Sequence, residues 1–133
     1  MIRLSKKVEY SLIALRYFAT SNENVVTAKE ISNKYKIPHE LLAKILQKLT
    51  KEKILISNQG INGGYKLNKL PSDISLESLI KIFDGEKGLV ECMQGKGPED
   101  CCLFDDCTIK DPVVKISKEL EQFFSSKKIS DFM

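Results

Sequence analysis

The stretch that decides the fold is Thr27-Ala-Lys-Glu-Ile-Ser-Asn-Lys-Tyr-Lys-Ile-Pro-His-Glu-Leu-Leu-Ala-Lys-Ile-Leu-Gln-Lys-Leu-Thr-Lys-Glu-Lys-Ile54, continued by Leu55-Ile-Ser-Asn-Gln-Gly-Ile-Asn-Gly-Gly-Tyr-Lys-Leu67. Thr27-Ala28-Lys29-Glu30 has the form of a capping box, in which a hydroxyl and a carboxylate each satisfy an amide left free at a helix start, and it predicts a helix from Thr27 to about Tyr35. Lys36-Ile37 makes a short turn. Pro38 suits the first position of the next helix, and Leu41, Leu42, Ile45, Leu46, Leu49 and Ile54 give it a 3.6-residue stripe to about Lys53. His39, Glu40, Lys44, Lys48 and Lys51 fall off that stripe. Two helices joined by a turn of about four residues, the second polar and basic on its outer face, have the pattern of a helix-turn-helix; an ordinary pair of packed helices is the alternative. Leu55-Ile56-Ser57 and Tyr65-Lys66-Leu67 then read as short strands around Asn58-Gln59-Gly60-Ile61-Asn62-Gly63-Gly64, a run able to take positive φ at several places. Helix, turn, helix, hairpin is the order of a winged helix.

In that architecture the second helix of the pair enters the major groove and the wing lies over phosphates or the minor groove. His39 and Glu40 at the helix start are candidates for base edges, and Lys44 and Lys48 for bases or phosphates. Gln59 and Asn62 are the hydrogen-bonding side chains of the wing, Gly63 an amide able to approach a phosphate closely, and Thr27 a further candidate contact at the start of the first helix. Upstream, Val8, Leu12, Leu15 and Ala19, widened by Ile13 and Phe18, predict a helix from Ser5 to Thr20. Downstream, Pro71-Ser72-Asp73-Ile74 leads to a helix over Ser75 to Phe83 that Asp84-Gly85 stops. After Pro112 a final helix carries Val113, Ile116, Leu120, Phe123 and Phe124 against Lys115, Lys118, Glu119 and Glu121. Such a long amphipathic helix points to a dimer, with packing onto the first helix of its own chain as the alternative. The expected fold is therefore mainly α: a winged helix-turn-helix with a two-stranded β wing over 1–70, then a linker helix, a cysteine loop and a long C-terminal dimerisation helix over 71–133.

The charge divides along the same line. Residues 1–69 carry 13 Lys and Arg against 5 Asp and Glu, and residues 70–133 carry 8 against 13, so the basic half is the one expected to meet nucleic acid. With 133 residues, 42% of them hydrophobic, and no apolar run near the roughly 18 residues of a membrane span, the chain is expected to fold without a membrane. A single histidine, no phosphate-cradling glycine loop and no nucleophile-base set argue against an enzyme.

All four cysteines fall within the 16 residues Cys92-Met-Gln-Gly-Lys-Gly-Pro-Glu-Asp-Cys101-Cys102-Leu-Phe-Asp-Asp-Cys107. Clustered thiolates on a polar loop suit an iron-sulfur centre; zinc, redox-active thiols and inert thiols remain open on this evidence. The start Met-Ile-Arg-Leu-Ser-Lys-Lys has no apolar stretch of a secretory signal, so a reducing, cytoplasmic setting is expected rather than a disulfide framework.

The opening Arg-Leu-Ser-Lys-Lys-Val-Glu-Tyr, the wing Gly60-Ile-Asn-Gly-Gly-Tyr-Lys-Leu and the loop start Cys92-Met-Gln-Gly-Lys-Gly together resemble the bacterial winged-helix regulators of the IscR/NsrR type. The resemblance implies a transcription factor, commonly a repressor, that binds a pseudo-palindromic duplex operator as a homodimer. It also implies a 2Fe-2S or 4Fe-4S cluster, which purification can strip, held by Cys92, by Cys101 or Cys102, and by Cys107, and responsive to nitric oxide, iron or redox state. Where IscR-type members place a histidine ligand this chain has Lys110, whose ammonium has no lone pair to give. Following the NsrR-type pattern instead, Glu9 of the other subunit becomes the fourth ligand. Gln59 replaces the arginine common before the wing glycines of this family, so the family's usual DNA sequences are not assumed. Two other readings stand beside this one: a cluster-free transcription factor regulated by thiols or a partner, and a zinc-stabilised winged-helix adaptor.

Overall fold

The computed structural model describes residues 3–61, 63–85 and 108–133. Helix α1 spans Lys6–Thr20, with the Ser5 hydroxyl accepting from the Val8 amide at 3.3 Å. Helix α2, Ala28–Tyr35, is capped by Thr27, whose hydroxyl accepts from the Glu30 amide at 3.1 Å. Only that half of the expected capping box forms: the Glu30 carboxylate accepts instead from the Tyr17 hydroxyl of α1. Helix α3 is His39–Lys51, with Pro38 standing at its N-cap rather than inside it. Strands β1, Leu55–Asn58, and β2, Gly64–Leu67, pair antiparallel, with Leu55 opposite Leu67 and Asn58 opposite Gly64. A 3-10 turn at Pro71–Asp73 leads to α4, Leu76–Asp84, and α5 runs Lys110–Ser126. Pro112 lies in the first turn of α5, where its missing amide would have had no helical partner, so the helix begins two residues before it.

The core is one cluster. Val8, Ala14 and Leu15 of α1 meet Ile31 of α2, Leu42, Ile45, Leu46 and Leu49 of α3, Leu55 of β1 and Leu79 of α4. Two features were not expected from the sequence. First, Val26, between α1 and α2, exchanges backbone hydrogen bonds with Tyr65 at 2.9 and 2.8 Å, adding a one-residue third strand to the hairpin. Second, the chain past α5 returns to the winged helix. The Leu76 amide donates to Lys127 O at 2.8 Å, the Ile129 amide donates to Ile74 O at 2.9 Å, and Arg16 Nε donates to Phe132 O at 2.8 Å. Ile129 is 0% exposed, which by itself is worth about 2 kcal/mol of burial.

Helix α5 packs against α4 with Val113, Ser117, Leu120 and Phe124 turned inward, buried or partly so. The other apolar residues diverge from that face. Ile109 (57% exposed), Ile116 (48%) and Phe123 (54%) recur every seven residues along the outside. The single apolar face expected from the sequence is thus two faces.

Positive φ marks the ends of α2, α3 and α4. Gly85 stops α4 at φ +76 and ψ −175, a conformation that only glycine adopts readily. Lys36 after α2 (φ +56) and Lys53 after α3 (φ +64) take positive φ with a side chain, at about 1 kcal/mol each relative to glycine.

The wing tests the bridge to Val26. A Cβ on Gly64, at φ +154, would lie 2.6 Å from Val25 Cγ1 and 2.7 Å from Val26 O, whereas one on Gly60, at φ +111, meets nothing within 4 Å. Gly64→Ala is expected to cost about 3 kcal/mol in urea titration and Gly60→Ala about 1 kcal/mol. Equal losses would mean that the wing does not press on the Val25–Val26 segment.

Candidate nucleic-acid interface

The apolar stripe of α3 leaves its opposite face to solvent. His39, Glu40, Lys44, Gln47, Lys48 and Lys51 are all exposed, while Leu42, Ile45, Leu46 and Leu49 are buried beneath them. Three lysines against one glutamate make the face cationic. Gln47 belongs to it as well, a residue passed over in the sequence where the lysines drew the reading; its off-stripe spacing was the available signal. Its amide can both donate to and accept from a base edge.

The orientation of α3 is fixed by the turn before it. Ser32 O accepts from the Ile37 amide at 3.2 Å, and Ser32 Oγ donates back to Ile37 O at 2.6 Å. With Ile37 buried and Ser32 nearly so, the two bonds close the turn from both sides. Helix α2 is in turn tied to α1. The Tyr17 hydroxyl donates to the Glu30 carboxylate, Lys34 Nζ lies 4.8 Å from the Tyr17 ring centre, and the Tyr17 and Tyr35 rings meet edge-on at 6.0 Å. The hydrogen bond to Glu30, followed by burial, holds the Tyr17 phenol above its ordinary pKa.

The wing carries the remaining candidates. Gln59 and Ile61 are exposed beyond β1, and Gly63 is half-buried under the turn, donating its amide to Gly60 O at 3.0 Å. A Cβ on Gly63 would lie 2.6 Å from Asn58 O, so only glycine fits there. Its amide is therefore already engaged within the wing. Thr27 is exposed with its hydroxyl committed to the α2 cap. Asn62, Cys92, Cys101, Cys102 and Cys107 lie outside the described residues. Glu9 lies in the first turn of α1, 43% exposed at its side chain, 3.1 Å from Lys6 Nζ; that hydrogen bond raises the Lys6 pKa. Lys110 is the first residue of α5.

Residues 4–133 match the model of the Rrf2 family, described as an iron-dependent transcriptional regulator. The chain belongs to the Rrf2 family. Among its Rrf2 relatives, the HTH-type transcriptional regulator NsrR of Oceanobacillus iheyensis is 34% identical over 124 residues, 92% of this chain and 82% of that one. NsrR of Bacillus licheniformis is 33% identical over 110 residues, 82% of this chain and 76% of that one. CymR, the global cysteine regulator of B. subtilis, shares the fold with a TM-score of 0.77 at 20% identity, covering 99% of this chain and 96% of CymR. T. potens IscR does so with a TM-score of 0.73 at 23% identity, covering 98% and 85%. The last two speak for the winged-helix fold alone. Rrf2 proteins are DNA-binding transcriptional regulators and not enzymes, and this chain is such a regulator. No helix among the described residues is long and apolar enough to cross a membrane.

If the Ser32 bonds set the pose of α3, Ser32→Ala leaves Ile37 O without its hydroxyl donor in a buried turn. The expected loss is about 1–2 kcal/mol in urea titration, with helix content unchanged by circular dichroism. A loss near zero would show the turn to be held by its backbone alone.

Proposed function

We propose that this Rrf2 protein is a homodimeric repressor that reads a pseudo-palindromic operator through α3 and the wing, and whose binding is governed by an iron-sulfur cluster held by the 92–107 cysteines. The observation that carries the DNA-reading part is the exposed face of α3, where His39, Glu40, Lys44, Gln47 and Lys48 stand clear of a stripe that anchors the helix in the core. Glu40, Gln47 and the lysines have the hydrogen-bonding groups of base readers, and the lysines also suit phosphates. Gln59, Asn62, Gly63 and Thr27 complete the candidate contacts, with Gly63 acting as a shape-giving residue of the wing and Thr27 as a helix cap that brings the α2 start to the backbone. In functional terms residues 1–70 read DNA, and 71–133 hold the sensing loop and the dimer contact.

The dimer reading rests on the outer stripe of α5. Ile109, Ile116 and Phe123 form a seam at heptad spacing that the other described residues leave open, the arrangement by which two helices pack along one another. Two copies of α3 in such a dimer engage half-sites about 34 Å apart, so a small change in the seam alters how both fit the groove.

The donor set fits an iron-sulfur cluster. Cys92, Cys107 and one of Cys101 and Cys102 supply the soft thiolates, and the fourth position falls to a weaker donor. Lys110 offers no lone pair. Glu9 is free to serve, because its exposed pairing with Lys6 holds it by little. When bound, the cluster supplies an iron centre that reacts with nitric oxide or oxidants and depends on iron supply. The protein's own part is mechanical: only Thr108 and Ile109 separate Cys107 from α5, so ordering or releasing the loop bears on the helix that carries the seam. A second reading, a thiol switch without a cluster, is favoured by one observation: Cys101 and Cys102 are adjacent, one more thiol than a three-cysteine site uses.

Two outcomes test this reading. Purified without oxygen, the protein is expected to be brown with matched iron and acid-labile sulfide, and Cys92→Ala to lose both the colour and the dependence of operator binding on the cluster; a colourless protein that fails reconstitution leaves the thiol switch. Ile116→Glu is expected to convert the dimer to monomer in sedimentation and to weaken operator binding more than tenfold with the helix content retained. A persistent dimer would move the seam elsewhere.

A further inference from the structure

We propose that Lys36 and Lys53 are a pair of phosphate clamps, one at each end of α3, retained in left-handed backbone because their charge is needed there. The inference deepens the DNA-reading function and rests on it. Both helices of the helix-turn-helix end in the same way. After α2 the Ile37 amide donates to Ser32 O, five residues back, and after α3 the Ile54 amide donates to Leu49 O at 2.9 Å, again five back, with the Lys53 amide donating to Thr50 O at 3.0 Å. This is the Schellman closure, whose left-handed position is ordinarily glycine. Here it is lysine both times, at φ +56 and +64, each followed by a buried isoleucine that pins the turn. Gly85, which ends α4, has φ +76 with ψ −175, a different conformation that only glycine adopts readily. Among the described residues Lys36 and Lys53 are the only non-glycine positions at positive φ, and both border α3.

Nothing within the described chain accounts for the choice. Lys36 and Lys53 are exposed, and neither ammonium makes an ion pair or a hydrogen bond among the described residues. A strained position whose ammonium has no ion pair or hydrogen bond among the described residues points to a use outside the molecule. Position says where. Lys36 precedes His39 by three residues and Lys53 follows Lys51 by two, so they bracket a 13-residue helix about 20 Å long. The major groove is about 12 Å wide, so a helix of that length seated in it brings its two ends toward the two phosphate strands that border the groove. A cation at each end would fix α3 along its own axis, which the face-on lysines Lys44 and Lys48 do not do.

The test exploits opposite signs. Lys36→Gly and Lys53→Gly relieve strain, so each is expected to raise the thermal midpoint by about 3 °C. Each is also expected to weaken binding to a mixed-sequence duplex of about three helical turns by about fivefold, and to lower the slope of log K against log salt by about 0.9 per protomer. Lys36→Arg keeps the slope. Lys118→Gln, which removes the same charge from α5, leaves it unchanged. The proposal is overturned if the glycine variants bind with the wild-type slope, if Lys118→Gln matches them, or if they are less stable than wild type. Failure of the wild-type protein to bind any duplex would overturn the DNA-reading function along with it.

Discussion

The approach of the wing to the segment between α1 and α2 is the contact on which the rest of the reader depends. Val26 and Tyr65 exchange two short backbone hydrogen bonds, and they can do so only because Gly64 has no Cβ to meet Val25 and Val26. An isolated two-stranded hairpin is marginal in water, and four-residue strands are shorter than most. The third strand, one residue long, converts the hairpin into part of the core: it fixes β2 to the start of α2, while β1 follows α3 directly through the turn at Lys53. The wing and α3 therefore cannot choose their angle independently. On the proposed reading, a reader built so tightly would meet DNA with α3 and the base of the wing already in place, which lowers the ordering cost of binding.

The same economy of connection links the reader to α5. At its C-terminal end the helix runs into a backbone bridge with the start of α4, a buried Ile129 and the Arg16 bond to Phe132 O, so any tilt of α5 is passed to α1 and to the 3-10 turn after the wing. At its N-terminal end it receives the cysteine loop. On the proposed reading the signal has a short path: loop, helix, tail, α1, core. From α5 onward that path consists of packed elements with few free torsions, which is what a small structural change at the loop needs if it is to alter the spacing of two copies of α3.

Most of the fold was legible because its elements obey strong local rules. Ser5, Thr27 and Ser75 cap the helices that begin after them, the stripe of α3 buries as its period requires, and the glycine run makes the wing. What escaped was set by tertiary partners. Val26 pairs as a single residue and has no period to show. Ile129 stands between Lys128 and Ser130, its burial decided by packing against α1 and not by its neighbours in sequence. Glu30 had two competing partners, and the Tyr17 hydroxyl of another helix won over the local amide. The left-handed lysines were illegible for the opposite reason: lysine is a good helix former, so nothing in its type marks the point where a helix stops. For the site, the polar face of α3 followed from the stripe by elimination, whereas Gln47 was hidden by the more conspicuous lysines. The engagement of the Gly63 amide within the wing required the folded turn to be seen.

The distribution of charge over the reader then assigns different work to its parts. Five of the cations lie on and around α3, at Lys44, Lys48 and Lys51 with Lys36 and Lys53 at the ends, and β2 carries Lys66, whereas the wing tip between the strands carries none: Gln59, Gly60, Ile61, Asn62 and Gly63 are all neutral. Ile61 is fully exposed at 105%, an apolar side chain at the outermost point of the hairpin. On the proposed reading the neutral tip would release no counterions, and what it adds would come from shape, hydrogen bonds and the burial of Ile61 in a groove. On that reading such a wing would discriminate by groove width rather than by charge. Gln59, where the resemblance implies an arginine, would then move the contribution of the wing from attraction to fit, and leave the lysines around α3 to bring the protein to the duplex.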